Sequence, residues 1–296
     1  MLSSLDALKE QTLQKNRWEL LIIDNLSDVK ISSYVDVSWH PNAYIVEEQM
    51  LGLAHARRCG MQVARGDVLC FVDDDNVLDC NYLEATLEIS QQNVWLGAWG
   101  GNSTGVFEKP LPAWAESLKG MLAIRQIEVA RWVNYNCSCM ATMPFGAGLC
   151  LRRRVTDYYL SLIEREPHRL ALGRVGKALT SGEDSDIVEA AIDLGLGYGV
   201  FPQLSLKHLI PMERVEPQYL ERLLSGMSES CVFRDFMRGT AQHYRSSLLT
   251  LRIIDAILTW NWQSRKIKIA RLIGMIRGKK KAKQFLRIHQ STTFQK

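Results

Sequence analysis

Acidic residues are missing from one whole end of this chain. Between Ala256 and Lys296 there are 11 lysines and arginines and not one Asp or Glu. The formal charge of +4 therefore hides a +11 tail on a body of 255 residues carrying −7. Long apolar runs are missing too. No window of about 18 uncharged apolar residues exists, which argues against a membrane-spanning helix. No basic segment leads into an apolar stretch at the start, so no secretory signal is expected. GxSxG, HExxH and GxxxxGK[ST] are all absent, which removes the common hydrolase, zinc-protease and P-loop chemistries. Gly97-Ala98-Trp99-Gly100-Gly101 is not a dinucleotide fingerprint. Repeats and low-complexity tracts are lacking, which argues against a solenoid or wholesale disorder. The seven cysteines include no CxxC pair. Cys137-Ser138-Cys139 is too tight for a tetrahedral zinc site without a second ligand pair. Cys59 and Cys70 read as small buried hydrophobes, and a reducing, cytoplasmic compartment is expected.

What remains is an ordinary globular composition, 47% apolar and 23% charged, arranged as alternating strands and helices. Leu5–Lys15 reads as a helix and Trp18–Asp24 as a strand ending in a carboxylate. An extended piece follows around Tyr44–Val46, then a helix over Glu48–Arg65 stopped by Gly66. Val68–Val72 reads as a buried strand, and a helix is expected near Asn81–Gln91. Val94–Gly101 reads as a strand, Pro110–Val133 as largely helical, Gly182–Leu194 as loop into helix, and Gly199–Leu209 as extended. Beyond about Pro217 the pattern is helical and basic. Such alternation predicts an α/β fold with a largely parallel sheet. In open sheets of that kind ligands sit beyond the carboxyl ends of the strands, where Asp24 and Asp73–Asp75 both fall.

The stretch Cys70-Phe71-Val72-Asp73-Asp74-Asp75-Asn76 drives a strand into three adjacent carboxylates. Two unit charges about 4 Å apart repel by about 4 kcal/mol at an effective dielectric of ~20. A solvated turn would relieve that repulsion. A hard divalent cation bridging carboxylates to substrate phosphates would also relieve it, and better explains the position. Asp73 and Asp75 would project alike from an extended segment, with Asp74 on the other side. In the preceding helix, Met50, Leu53, Ala54, Met61 and Ala64 form an apolar face, and Arg57 shares it. Arg57 is either a snorkelling cation at the core edge or one directed at a bound anion. Ser181–Ile187 has the composition of a helix N-terminus. Glu183 and Asp184 are thus first-turn acids favoured by the helix dipole, or a carboxylate poised as general base. His208, late in an extended apolar segment, is a structural histidine or a ligand.

Taken together these elements resemble the family 2 glycosyltransferases of the GT-A fold. Trp18–Asp28 resembles that family's second strand and nucleotide-contacting acidic turn. Gly52–Asn76 resembles its Arg-bearing helix, Gly-Asp turn, strand and Asp-x-Asp motif. Gly182–Ile187 is similar to its Glu-Asp motif, and Phe201–Pro211 to a late segment whose His completes a metal site. The resemblance covers roughly residues 1–215, with a helical, basic region over 216–296. It implies a Rossmann-like mixed, mostly parallel sheet flanked by helices. It also implies an inverting, metal-dependent enzyme moving a sugar from a nucleotide-diphospho-sugar to a hydroxyl. On this resemblance Asp184 is the base and Glu183 stands beside it. Asp24, Asn25, Arg57, Asp73, Asp74, Gly146 and Gly148 serve the nucleotide-sugar. Asp75, Asp73 and His208 hold Mn²⁺ or Mg²⁺.

The family opens with an apolar strand in mid-sheet, whereas this sequence begins within the helix after it, so a sheet short of that strand is expected. The acceptor is expected to be a glycan or lipid-linked, in polysaccharide or glycolipid synthesis. In Ser246–Ile276 and the following basic cluster, aliphatic and aromatic residues beside Lys and Arg fit an anionic membrane surface, on the inner face of the cell membrane. They equally fit helices packed on the body with a solvated end. Nucleic acid is disfavoured, because no recognition module accompanies the charge. The competing functional readings are a non-catalytic membrane-associated scaffold and a nucleotidyltransferase.

Overall fold

The computed structural model describes residues 1–135, 140–176, 178–240, 252, 255–256, 258–285 and the backbone of 286–293. The Cys137–Cys139 pair and much of 246–257 lie outside them. The chain divides into two compact units. One comprises Met1–Leu170 with Glu183–Met212, the other Ala171–Gly182 with Glu213–Lys296.

In the first unit, helix α1 (Leu2–Lys9) precedes strand β1 (Leu20–Asp24), strand β2 (Ala43–Glu47) and helix α2 (Leu53–Val63). Strands β3 (Val68–Phe71) and β4 (Asn76–Leu78) flank the acidic turn, followed by helix α3 (Tyr82–Gln92) and the long strand β5 (Leu96–Phe107). After short 3-10 turns over Ala113–Leu122 come strands β6 (Arg131–Val133) and β7 (Leu149–Arg152), helix α4 (Arg153–Arg165), helix α5 (Glu183–Asp193) and strand β8 (Gly197–Ile210). The α/β class therefore holds, but the strand directions do not. The six-stranded sheet runs β3-β7-β5-β8-β4, with β6 also on β8. Among the described residues only β5–β8 is parallel within it; the other four pairings are antiparallel. β1 and β2 form a separate parallel pair. Among the described residues β1 and β3 each pair with one neighbour only, leaving one edge open on each.

Alternation along the strands divides the core between the two faces. Leu149 and Leu151 of β7 pack with Met61, Leu69, Val155 and Ile187, on the face covered by α2, α4 and α5. Cys150, between them, joins Trp99, Tyr82, Leu206 and Leu8 on the face of α1 and α3. Each such buried aliphatic side chain contributes about 1.5–3 kcal/mol.

Three boundaries depart from the sequence pattern, each for a tertiary reason. The first helix ends at Lys9 rather than Lys15, because Thr12 N–H donates to Cys80 O and the Gln11 amide bonds Asp79 O and Leu83 N–H. The helix expected from Glu48 starts at Leu53. Gly52 before it has φ 134°, and its N–H is taken by Asn25 Oδ1. The helix expected over Pro110–Val133 is only the 3-10 stretch to Leu122. Ala123 ends it in the left-handed region (φ 55°), and Arg125 then pairs with the Ser103 backbone.

The second unit holds helix α6 (Pro217–Met237), begun by proline in its first turn, and helix α7 (Trp262–Thr293). Leu172, Phe233 and Ala282 form its buried apolar cluster, with Phe236 and Phe285 against it. Among the described residues no helix is long and apolar enough to cross a membrane.

Candidate active site

Arg57 organises the site. Its guanidinium is buried, where Nη1 donates to Glu183 Oε1 at 2.8 Å and Nη2 to Asp73 Oδ1 at 3.3 Å. Phe71 lies beneath it, 5.8 Å from ring centroid to guanidinium carbon. Burial opposes the charge, but the fields of Asp73, Glu183 and Asp184 outweigh that and hold Arg57 firmly protonated. So the arginine read as core-edge or anion-directed is a buried cation whose partners are carboxylates. A loop from a distant part of the chain closes over it. A Cβ built on Gly146 would stand 2.6 Å from Arg57 Nη2, so glycine there admits the guanidinium.

The acidic triplet is a turn rather than an extended strand. Asn76 N–H donates to Asp73 O, and Asn76 Oδ1 accepts from Asp73 N–H. The turn still separates its members. Asp73 faces Arg57, while Asp75 faces His208. Asp74 is exposed, with its carbonyl held by the Ser4 hydroxyl. Desolvation pushes the Asp73 carboxyl above its ordinary value, with Arg57 opposing and Asp75 reinforcing the shift. Its side chain is 35% exposed, reaching solvent on one side while protein crowds the rest.

His208 Nδ1 lies 2.9 Å from Leu122 O. A carbonyl can only accept, so Nδ1 donates there, which turns Nε2 toward Asp75 Oδ2, 3.4 Å away. Among the described residues no group of three His, Cys, Asp or Glu side chains could hold a metal by itself. The pair suits a hard cation that takes its remaining ligands from substrate phosphate and water. The His–carbonyl bond is the kind of outer support that orients metal-binding imidazoles.

At the head of α5 the two acids separate. Glu183 is buried against Arg57, whereas Asp184 is partly exposed. Asp184 accepts from Gly146 N–H (3.1 Å) and from Ser185 N–H (2.7 Å), which fix its carboxylate toward the Phe145–Gly148 loop. Gly148 has φ 70°, and a Cβ there would run into the Tyr82 hydroxyl and Leu206. Tyr82 Oη donates to Gly148 O at 2.7 Å. Gly148→Ala is therefore expected to destabilise the fold by about 2–5 kcal/mol, combining left-handed strain of about 1–2 with overpacking of about 1–3. Urea unfolding checks this; a loss below 1 kcal/mol would contradict it.

Asp24 and Asn25 are placed differently. Asp24 is buried, and its carboxylate accepts Ser27 N–H and Ile31 N–H. These bonds, those to Ser27 foremost, hold its carboxyl below the ordinary 3.8. A depressed carboxyl stabilises the fold above 3.8 and loses that contribution as pH falls through its folded value. Asp24→Asn should thus be less stable than the wild type at neutral pH, with the gap closing under acid. A pH series of urea midpoints reads this, and a gap that widens in acid would refute it. Asn25 bonds Glu48 O, Met50 O and Gly52 N–H, stapling the entry to α2.

Pattern reading missed a support behind α5. Asp186 is fully buried, bound by Arg169 Nη1 at 2.6 and 2.8 Å and by the Tyr159 hydroxyl at 3.0 Å. Burial, then the Asp186 charge, drives the Tyr159 phenol well above its usual range. The signal was a third acid in Glu183-Asp184-Ser185-Asp186, three residues from Glu183 and so on the same helix face.

The fold resembles that of solved transferase structures. TarS 1–349 from S. aureus superposes with a TM-score of 0.50 at 14% identity, over 94% of this chain and 76% of that one. Its complex with UDP-GlcNAc gives 0.51 at 13%, over 94% and 77%. The mannosyltransferase PcManGT from Pyrobaculum calidifontis, in complex with GDP-Man and Mn²⁺, gives 0.49 at 14%, over 93% and 82%. No curated protein matches the chain in sequence. Residues 1–147 match the family model Glycosyl transferase family 2, and the chain carries a glycosyltransferase domain of that family.

Proposed function

We propose that this chain transfers a sugar from a nucleotide-diphospho-sugar to a hydroxyl acceptor with inversion, and that the reaction depends on a divalent cation. The observation that carries the reading is the charge balance around Arg57. Asp73, Glu183 and Asp184 act on a single guanidinium, and Asp75 stands beside Asp73. A cleft of net charge about −3 would repel an anionic diphosphate unless a cation entered with it. Asp75 and His208 are the residues that would hold the cation, with Asp73 adjacent. When bound there, Mn²⁺ or Mg²⁺ would supply positive charge against the departing diphosphate.

The chain's own groups do the rest. Asp184 takes the proton from the acceptor hydroxyl, whose oxygen attacks the anomeric carbon from the face opposite the leaving group. The new C–O bond forms as the bond to the diphosphate oxygen breaks, and that oxygen keeps the electron pair. Glu183, neutralised by Arg57, sits beside the sugar rather than acting as base. Gly146 and Gly148 let the backbone approach the donor. Asp24, Asn25 and Arg57 border the nucleoside side, where Asp24 and Asn25 hold the loop rather than offering open side chains. TarS, which shares the fold, is seen with UDP-GlcNAc, in keeping with a nucleotide-sugar donor. A glycan or lipid-linked acceptor, and work at the inner face of a cell membrane, go with the basic residues 246–296.

The test is a thermal-shift screen of nucleotide-sugars with and without Mn²⁺. A donor at 100 times its Kd should stabilise the chain by about 2.7 kcal/mol, and only with metal. Asp75→Asn should lose the metal-dependent shift. Indifference to every donor would favour a non-catalytic scaffold. A shift with free nucleoside triphosphates alone would favour nucleotidyl transfer.

A further inference from the structure

Helix α7 presents two faces of opposite character. One is pressed against α6 through glycines. A Cβ on Gly274 would meet Ser228 Cβ at 2.8 Å, and one on Gly278 would meet Glu229 O at 2.6 Å and Val232 Cβ at 2.8 Å. Ala270, Met275 and Ala282 are buried with them. That crossing fixes which side points outward. At 100° per residue, Trp262, Ile269, Ile273 and Ile276 fall within an arc of about 60° roughly opposite the glycines, along about 21 Å of helix. All four are exposed. Just upstream Leu258 is exposed and Trp260 is 99% exposed. Single exposed apolar side chains are ordinary, but three isoleucines and Trp262 share one side of the helix, with Leu258 and Trp260 exposed just before it.

The flanks are cationic. Arg277, Lys280 and Lys283 are exposed and lie on or beside the arc. Lys266 stands 5.4 Å over the Trp262 ring and also reaches Glu221 at 3.4 Å. No acidic residue follows Asp255. We infer that α7 lies in the plane of an anionic lipid bilayer, with Trp260, Trp262, Ile269, Ile273 and Ile276 seated among the acyl chains and Arg277, Lys280 and Lys283 on lipid phosphates. An in-plane helix of this kind combines buried apolar area with attraction to anionic headgroups. Nucleic acid would satisfy the lysines but leave the isoleucine row in water. This inference deepens the membrane partnership proposed above by naming its face, and it stands apart from the transfer chemistry.

The test is co-sedimentation of the full chain with phosphatidylcholine vesicles containing or lacking a third of phosphatidylglycerol. The wild type should bind only the anionic vesicles, and raised salt should weaken binding. The variant I269S/I273S/I276S should lose at least tenfold in partitioning while keeping its circular-dichroism helix content and thermal midpoint. Brominated acyl chains should quench tryptophan emission in the wild type and not in W260A/W262A. No binding by the wild type would overturn the membrane reading altogether. Equal partitioning of the isoleucine variant would overturn this face alone, as would duplex DNA displacing the chain from vesicles. Donor-induced thermal shifts should be the same in wild type and variant, so failure here is distinct from failure of the transfer reading.

Discussion

Asp184→Asn is expected to lower sugar transfer by roughly 10²–10⁴-fold, the usual range for removing a positioned general base. The carboxylate is already aimed. Oδ1 is held by Ser185 N–H and Oδ2 by Gly146 N–H, and both bonds leave lone pairs toward solvent. An asparagine keeps the size but offers one acceptor in place of two. If its oxygen stays on Ser185, its NH₂ meets the Gly146 N–H, two donors facing. Donor binding should stay within about twofold, because Arg57, Asp73 and Asp75 are untouched. Transfer rate and donor titration on one preparation separate the roles. Full turnover in the variant would remove Asp184 as base, while loss of donor binding would make it a donor residue instead.

Arg57→Ala should destabilise the fold by about 3–5 kcal/mol, the scale for removing one partner of a buried ion pair. Glu183 loses its 2.8 Å partner inside the protein, and Asp73 loses the cation that opposes its desolvation. The pH dependence follows in sign. Asp73 titrates above its unfolded 3.8 in the native state, so ionising it costs stability as pH rises beyond that value. Arg57 offsets this cost. The deficit of the variant should therefore be smallest near or below pH 3.8 and grow toward neutrality. Arg57→Lys should fall between, since a single ammonium cannot fork to both carboxylates. Urea unfolding across pH 4–8 measures all three; a deficit that shrinks toward neutrality would contradict the network.

Most of the residues that the structure brings together around Arg57 were legible because they sit in short stretches. The Arg57 helix, the Asp73–Asp75 turn and the Glu183–Asp184 helix start are each local patterns of charge beside apolar periodicity. How those stretches engage one another was not legible. Gly146 as the seat of Arg57, the Leu122 carbonyl behind His208, and Arg169 behind Asp186 are contacts between residues far apart in sequence, or through backbone atoms that no residue type announces. Strand direction failed for a related reason. Alternating strands and helices suggested parallel neighbours, but β7 enters between β3 and β5 and runs against both. The helix expected over Pro110–Val133 failed because its apolar residues pack from 3-10 turns and a short strand instead.

The bond between Arg57 and Glu183 spans 126 residues of chain. Closing so long a loop carries an entropic cost that nearby contacts do not, so the pair forms only when the strands and helices between are already docked. The carboxylates meanwhile repel one another in any partly ordered ensemble where the guanidinium has not arrived. The centre should thus be among the last features to assemble and among the first lost when the domain loosens, and hydrogen exchange at the Gly146 amide would follow that event directly.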